Sequence, residues 1–194
     1  MTETGFLNML LREAGRFVGL RETVSNRAWD KPSTAGSDKA LSDELRGLMR
    51  PAPWEDGWAY CAAFTEGMVV VALRRMGMGE KEIARFAKLH GPHVMSNVRA
   101  FRAAGLLSQV PVPGALWLAQ HGTSDRGHEG IVVGFDEGRM ATIEANTSAG
   151  ADVPAKEREG DWITNRVRNP KSNGILMTRG FVTPAAILKL VMGS

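Results

Sequence analysis

GHEGIVVGFDEGRMATIEAN, running from Gly127 to Asn146, is the stretch on which the reading of this chain turns. Two runs rich in aliphatic and β-branched residues flank Asp136-Glu137-Gly138, a three-residue hairpin loop with glycine where a positive φ is needed. That loop pairs Phe135 with Arg139, so His128 lies opposite Asn146 and Glu144 is its diagonal neighbour. Side chains alternate along a strand, so His128, Glu144 and Asn146 project from one face, and Ile131, Val133, Phe135, Ala141, Ile143 and Ala145 from the other. A polar face thus opposes a packed one. The longer Glu144 side chain can reach the imidazole from the diagonal, whereas the shorter Asn146 sits directly across from it.

Working outward, Ala115 to Ala119, Trp162 to Arg168 and Ile175 to Val182 read as further strands, most of them bounded by Gly, Pro, Asn or Asp. Everything before Pro113 has helical spacing instead. Met1 to Leu20 is amphipathic and ends near Gly19, and Arg21 to Gly36 is a polar connection. Ser37 is placed to cap a short helix through Leu41, Leu45 and Leu48, closed by Pro51 and Pro53. The loop Pro51 to Tyr60 leads into Cys61, after which apolar residues from Ala62 to Met76 occupy nearly every face of a helix, the mark of a buried one. Arg74 and Arg75 in its last turn favour the dipole and Gly77 stops it. Glu80 to Leu89 and Val94 to Ala104 are two more helices, and Pro184 opens a terminal one. Helices first and an antiparallel sheet second predict an α+β fold, with residues 1–194 forming one domain.

Composition narrows the function classes. Hydrophobic residues at 43% and charged residues at 23% are ordinary for a globular chain and argue against extensive disorder. One cysteine cannot form an intramolecular disulfide, so the fold does not depend on an oxidising compartment. Neither a secretory signal nor a membrane span is expected at the N-terminus, where Arg12, Glu13 and Arg16 interrupt the apolar residues, and the chain reads as cytoplasmic when synthesised. The net charge of +3 suits an anionic polymer or an ordinary solvated surface, but the basic residues form no block, and no nucleic-acid partner is expected. The glycines build no phosphate loop.

Cys61, at a helix start, is placed to act as a thiol nucleophile. The unpaired N–H groups of the helix end favour a thiolate, and His128 is the expected proton acceptor. Glu144, bonded to the other ring nitrogen, would set the tautomer and stabilise the imidazolium, and Asn146 competes for that role. The Cys61 backbone N–H, with Tyr60 as a nominated side chain, would form the oxyanion site, and Trp54 and Trp58 are close enough in sequence to line a groove. His90, His93 and His121 have the residue type for zinc, but Gly91-Pro92 breaks the ligand spacing, so no metal site is expected. The segment from Asn146 to Gly160 reads as a connection or as one wall of the cleft.

These pieces together resemble the cysteine, histidine-dependent amidohydrolase/peptidase (CHAP) domains and their NlpC-type relatives in the papain-like superfamily. Gly19-Leu20-Arg21-Glu22 with Asn26, Trp58-Ala59-Tyr60-Cys61-Ala62-Ala63-Phe64, Pro113-Gly114-Ala115-Leu116-Trp117, Gly127-His128-Glu129-Gly130-Ile131-Val132, Ile143-Glu144-Ala145-Asn146 and Arg179-Gly180-Phe181-Val182-Thr183-Pro184 are similar to family motifs, in family order. The resemblance implies a papain-like fold, with the Cys helix packed on the sheet. It also implies cleavage of an amide bond in bacterial peptidoglycan, as an endopeptidase or an N-acetylmuramoyl-L-alanine amidase of the endolysin kind. Cys61 would be the nucleophile, His128 the base and Glu144 or Asn146 the orienting residue, with no cofactor. Phage or secretion-system partners would deliver it to the wall. The chain departs from the family pattern in three places. Ala59 and Tyr60 separate Trp58 from Cys61, Ala115 replaces an acid, and Glu129, expected to face harmlessly away from the site, replaces an apolar residue. Some relatives bind calcium near the Cys helix, but no run of alternating Asp and Asn supports that here. The alternatives are a non-catalytic wall-binding or phage-structural domain of the same fold, and a thiol enzyme acting on a protein substrate.

Overall fold

A computed structural model describes residues 2–24, 27–31, 38–147 and 162–193. In chain order the elements are α1 (Glu3–Arg16), β1 (Arg21–Glu22), β2 (Trp29–Asp30), α2 (Asp38–Met49), α3 (Cys61–Arg75), α4 (Glu80–Ala87) and α5 (Val94–Ala103). They continue with β3 (Leu107–Ser108), β4 (Leu116–His121), β5 (Gly127–Asp136), β6 (Arg139–Thr147), β7 (Trp162–Arg168), β8 (Ser172–Asn173), β9 (Leu176–Val182) and α6 (Pro184–Met192). The fold is α+β. Ser37, Asn26 and residues 148–160, on which a helix cap, a sequence motif and a cleft wall were expected, lie outside the described residues.

Helix α3 is the hub because its sequence leaves it no polar face. Every residue from Cys61 to Val70 is buried, with α1, α2 and α4 against one side and β5 and β6 against the other. At Gly67 a Cβ would lie 2.9 Å from the Leu48 carbonyl oxygen, so the missing side chain is what lets α2 and α3 approach. Only the last turn, with Arg74 and Arg75, reaches solvent. No helix among the described residues is long and apolar enough to cross a membrane.

The strands form one antiparallel sheet in the order β2-β1-β7-β6-β5-β4-β9-β3, with β8 paired to β9. Its helix-facing side contributes Leu116, Leu118, Ile131, Ile143 and Ala145 to the main core. The opposite side carries its own small core of Trp117, Val132, Met140 and Phe181, so the face bearing His128 is itself partly covered. The two-residue strands β1, β2, β3 and β8 fall in segments that read as connections, because two residues carry no periodicity.

The central hairpin corrects the expected register. It turns on two residues, Glu137 (φ 46) and Gly138 (φ 74), and Asp136 rather than Phe135 faces Arg139. An irregularity between Val132 and Gly134 then adds one residue to β5, after which Ile131 faces Ile143 and Gly130 faces Glu144. Below this bulge the expected faces hold. Beyond it the hairpin overhangs the core, and Val133 and Phe135, expected in the packed face, are 36% and 47% exposed; Ala141 is exposed as well.

Candidate active site

Cys61 opens α3. Tyr60 precedes the helix without capping it through its side chain, and the first turn contains no acidic residue, so the positive end of the helix dipole is left facing the sulfur. The residue is 4% exposed and belongs to the core cluster, yet it lines an open cleft of about 1170 Å³ together with His128.

His128 stands on β5 between two glycines whose lack of a side chain is required by what approaches them. A Cβ on Gly127 would meet Val94 at 2.8 Å, where α5 begins. A Cβ on Gly130 would meet Glu144 Cγ at 2.7 Å. Glu144 faces Gly130 across the ladder and crosses the space a side chain would fill, bringing Oε2 within 2.8 Å of His128 Nε2. That contact occupies Nε2 and leaves the other ring nitrogen for a second partner, and Cys61 is close enough to the imidazole to act on its pKa. Burial alone pushes the imidazole towards its neutral form, but the hydrogen bonds to Cys61 and Glu144, reinforced by their charge, raise its pKa to about 10. Trp117 backs the ring edge-on at 6.0 Å.

Glu144 is fully buried and fully occupied. Thr142 Oγ1 donates to Oε1 at 2.5 Å, and Arg168 donates from Nε to Oε1 at 2.8 Å and from Nη2 to Oε2 at 2.5 Å. Burial favours the neutral acid, but the Arg168 and His128 hydrogen bonds hold the carboxyl well below the usual carboxylate range. Of the two residues weighed for contact with the ring, Glu144 is the one brought to it. Asn146 adopts a left-handed conformation (φ 55) in an irregularity of β6 between Glu144 and Thr147, and it lines the cleft. The regular β5–β6 pairing ends at Gly130 and Glu144, so the expected pairing of His128 with Asn146 is not formed.

The aromatic residues before Cys61 sit elsewhere. Tyr60, nominated for the oxyanion site, is fully buried, edge-on to Trp29 at 5.4 Å, and does not line the cleft. Trp54 is buried against Trp29, with Nε1 donating to the Trp58 carbonyl at 3.3 Å. Trp58 is 47% exposed. Neither tryptophan lines the cleft, because the turn at Pro51–Tyr60 packs towards β2 and α2 rather than towards the sheet face that carries His128.

On the opposite side of β5, Glu129 faces away from the cleft as alternation requires, but it is far from idle. Thr65 Oγ1 donates to its Oε1 at 2.8 Å, His90 Nε2 lies 2.7 Å from the same oxygen, and Asn97 Nδ2 donates to Oε2 at 3.3 Å. His90 Nδ1 meets Glu66 at 3.1 Å. Burial opposes charge on His90, but the charge and hydrogen bond of Glu129, then Glu66, raise its pKa to about 10. This network ties α3, one turn beyond Cys61, to the strand position after His128.

The three other histidines do not converge. His90 is in that network, the His93 side chain caps α5 by accepting from the Ser96 N–H at 3.3 Å, and His121 lines the cleft, its pKa lowered by burial and by repulsion from His128 and Arg126. Among the described residues, no group of three or more His, Cys, Asp or Glu is arranged to hold a metal ion.

Sequence reasoning missed Arg168, Arg166 and Thr142. The signal was the alternation Arg166-Val167-Arg168, which puts two cations on one face of a strand, but which neighbour they meet depends on the β6–β7 register across an irregularity. No known protein-family model and no curated protein matches the sequence.

Proposed function

We propose that this chain is a papain-like cysteine hydrolase of the CHAP/NlpC kind, cleaving an amide bond of bacterial peptidoglycan through a thioester intermediate. The supporting observation is the thiol–imidazole–carboxylate series Cys61–His128–Glu144, built on a helix N-terminus and a buried strand pair. In this reading the thiol proton already rests on His128 as a thiolate–imidazolium pair, the thiolate attacks the carbonyl carbon, and the oxyanion forms next to the N-terminus of α3. The imidazolium returns the proton to the leaving amine, the C–N bond breaks, and the acyl group remains on sulfur. Water, deprotonated by His128, then cleaves the thioester and restores the thiol. Glu144, held by Arg168, keeps the ring aligned and stabilises its cationic form.

The test is digestion of purified sacculi. Wild-type protein should release fragments whose new amine and carboxyl ends, read by mass spectrometry, identify the bond as internal to the peptide or next to muramic acid. Cys61→Ala and His128→Ala should each abolish release while retaining the wild-type circular dichroism spectrum. Wall degradation by Cys61→Ala removes the proposal. Iodoacetamide provides a second check. Cys61 should alkylate faster below pH 8 than in His128→Ala, whereas equal, slow alkylation in both points to a non-catalytic domain.

A further inference from the structure

We infer that Glu129, with Thr65, His90 and Asn97 bonded to it, positions the reacting pair from behind: it holds the Cys61 helix and the segment that opens α5 in register with the strand bearing His128. The inference rests on the thiol-hydrolase reading above, since it names what keeps that reading's nucleophile and base together. Glu129 stands on the sheet side that faces the helices, where its ladder neighbour is Leu118 and the next residue on the same side is Ile131. An aliphatic side chain would fill that place without taking charge out of water, so packing does not account for a carboxylate there. Thr65, Glu66, His90, Asn97 and Glu129 are each at most 5% exposed. They come from α3, the segment between α4 and α5, α5 itself and β5, and they meet at one point.

What these bonds add is direction. Apolar contact holds elements together without fixing their angle or slide, whereas hydrogen bonds are satisfied over a narrow range of both. Thr65 and Glu66 are the buried polar side chains of α3 after Cys61, and both bond into the group. Thr65 lies one turn, about 6 Å, from Cys61 along the helix. Its hydroxyl is 2.8 Å from Glu129 Oε1 and 2.9 Å from the carbonyl of Ala62, the residue after the thiol. The first turn of α3 and the strand position after His128 therefore share one hydroxyl. A second branch reaches another wall of the cleft. His90 Nε2 is 2.7 Å from Glu129 Oε1, and Asn97 donates to Oε2 at 3.3 Å while exchanging two hydrogen bonds of 2.9 Å with the Gly91 backbone. Pro92, His93 and Val94 follow and line the cleft, with Val94 filling the space beside Gly127. One carboxylate thus sets the helix, the strand and this wall together, and a displacement of about 1 Å at a reacting atom is enough to cost about a hundredfold in rate.

The test uses the full chain in three variants. Thr65→Val keeps the volume and loses the hydroxyl, and Thr65→Ser keeps the hydroxyl. Ser42→Ala removes a buried hydrogen bond of a different kind of place, the one that Ser42 Oγ accepts from the Trp29 N–H at 3.0 Å between α2 and β2. Iodoacetamide alkylation of Cys61 below pH 8 should slow by at least about tenfold in Thr65→Val and stay within about twofold of wild type in Thr65→Ser and Ser42→Ala. The His128 titration followed by NMR, near 10 in the wild type, should fall in Thr65→Val and hold in the other two. A wild-type rate in Thr65→Val overturns the inference. So does equal slowing in Ser42→Ala, because lost stability would then suffice, and equal slowing in Thr65→Ser, because methyl packing would then be the cause. The hydrolase reading fails differently: a wild-type thiol no faster than that of His128→Ala removes it, whereas a fast wild-type thiol that Thr65→Val leaves unchanged removes the positioning role alone.

Discussion

At Glu144 a single carboxylate serves three donors, and each answers a different requirement. Arg168 offsets its burial, Thr142 fixes its rotation, and His128 is the group it positions. Glu144→Gln replaces one oxygen with an N–H that faces either Arg168 or the ring nitrogen, so kcat should fall on the order of 10²-fold with KM little changed. Asn146→Ala removes a cleft-lining side chain outside that series and should cost under about threefold in kcat. Steady-state kinetics on a released muropeptide measures both, and the opposite order would move the orienting role to Asn146. Gly130→Ala tests the same geometry by shape. Its Cβ would sit 2.7 Å from Glu144 Cγ, so the carboxylate should be displaced and activity should fall as in Glu144→Gln. The His128 pKa, followed by NMR, should drop from about 10 towards 6.5. An unchanged titration would show that Glu144 reaches the ring by another route.

At the level of elements, α3 and β5 are joined twice, by Cys61 to His128 on the cleft side and by Thr65 to Glu129 on the core side. The second joint is wholly buried, so its loss leaves the buried charge of His90 only partly compensated. Glu129→Ala should destabilise the fold by about 3–5 kcal/mol, because His90 would retain one carboxylate in place of two. Thr65→Val keeps the volume, removes one donor and should cost about 1–3 kcal/mol. Urea unfolding followed by tryptophan fluorescence reads both. Glu129→Ala as stable as wild type would show that the network is dispensable. The elements themselves were largely legible. The run after Cys61 reads as a buried helix and forms one, and Trp162–Arg168 is a strand with the expected bounds. The hairpin was read one residue long at its turn. A bulge in β5 cancels that error, which is why His128 and Glu144 were placed on one face although the loop was misread. Bulges leave no reliable mark in sequence, since one extra residue in a strand changes neither composition nor apolar content.

For the molecule as a whole, these buried groups predict how stability depends on pH. His128 and His90 are both raised from 6.5 to about 10 on folding, so each contributes stability that is complete below pH 6.5 and is lost as pH rises to about 10. Glu144 is depressed from 4.5, so its contribution is complete above that value and is lost as pH falls. Thermal melting should therefore be highest between about pH 4.5 and 6.5 and decline on both sides. A Tm that is flat from pH 7 to 10 would contradict the alkaline limb.

The order of helices and strands, the buried character of the Cys61 helix and the shared face of His128 and Glu144 were all readable from the chain, because each rests on a repeat of 3.6 or 2 residues that backbone geometry imposes locally. Arg168 behind Glu144, Glu129 joined to His90 and Thr65, and the withdrawal of Tyr60 and Trp54 into the core emerged only in the folded molecule. Those meetings depend on strand register across two irregularities and on how distant segments pack against β5. Local periodicity places a side chain on a face; it does not say what lies across from it.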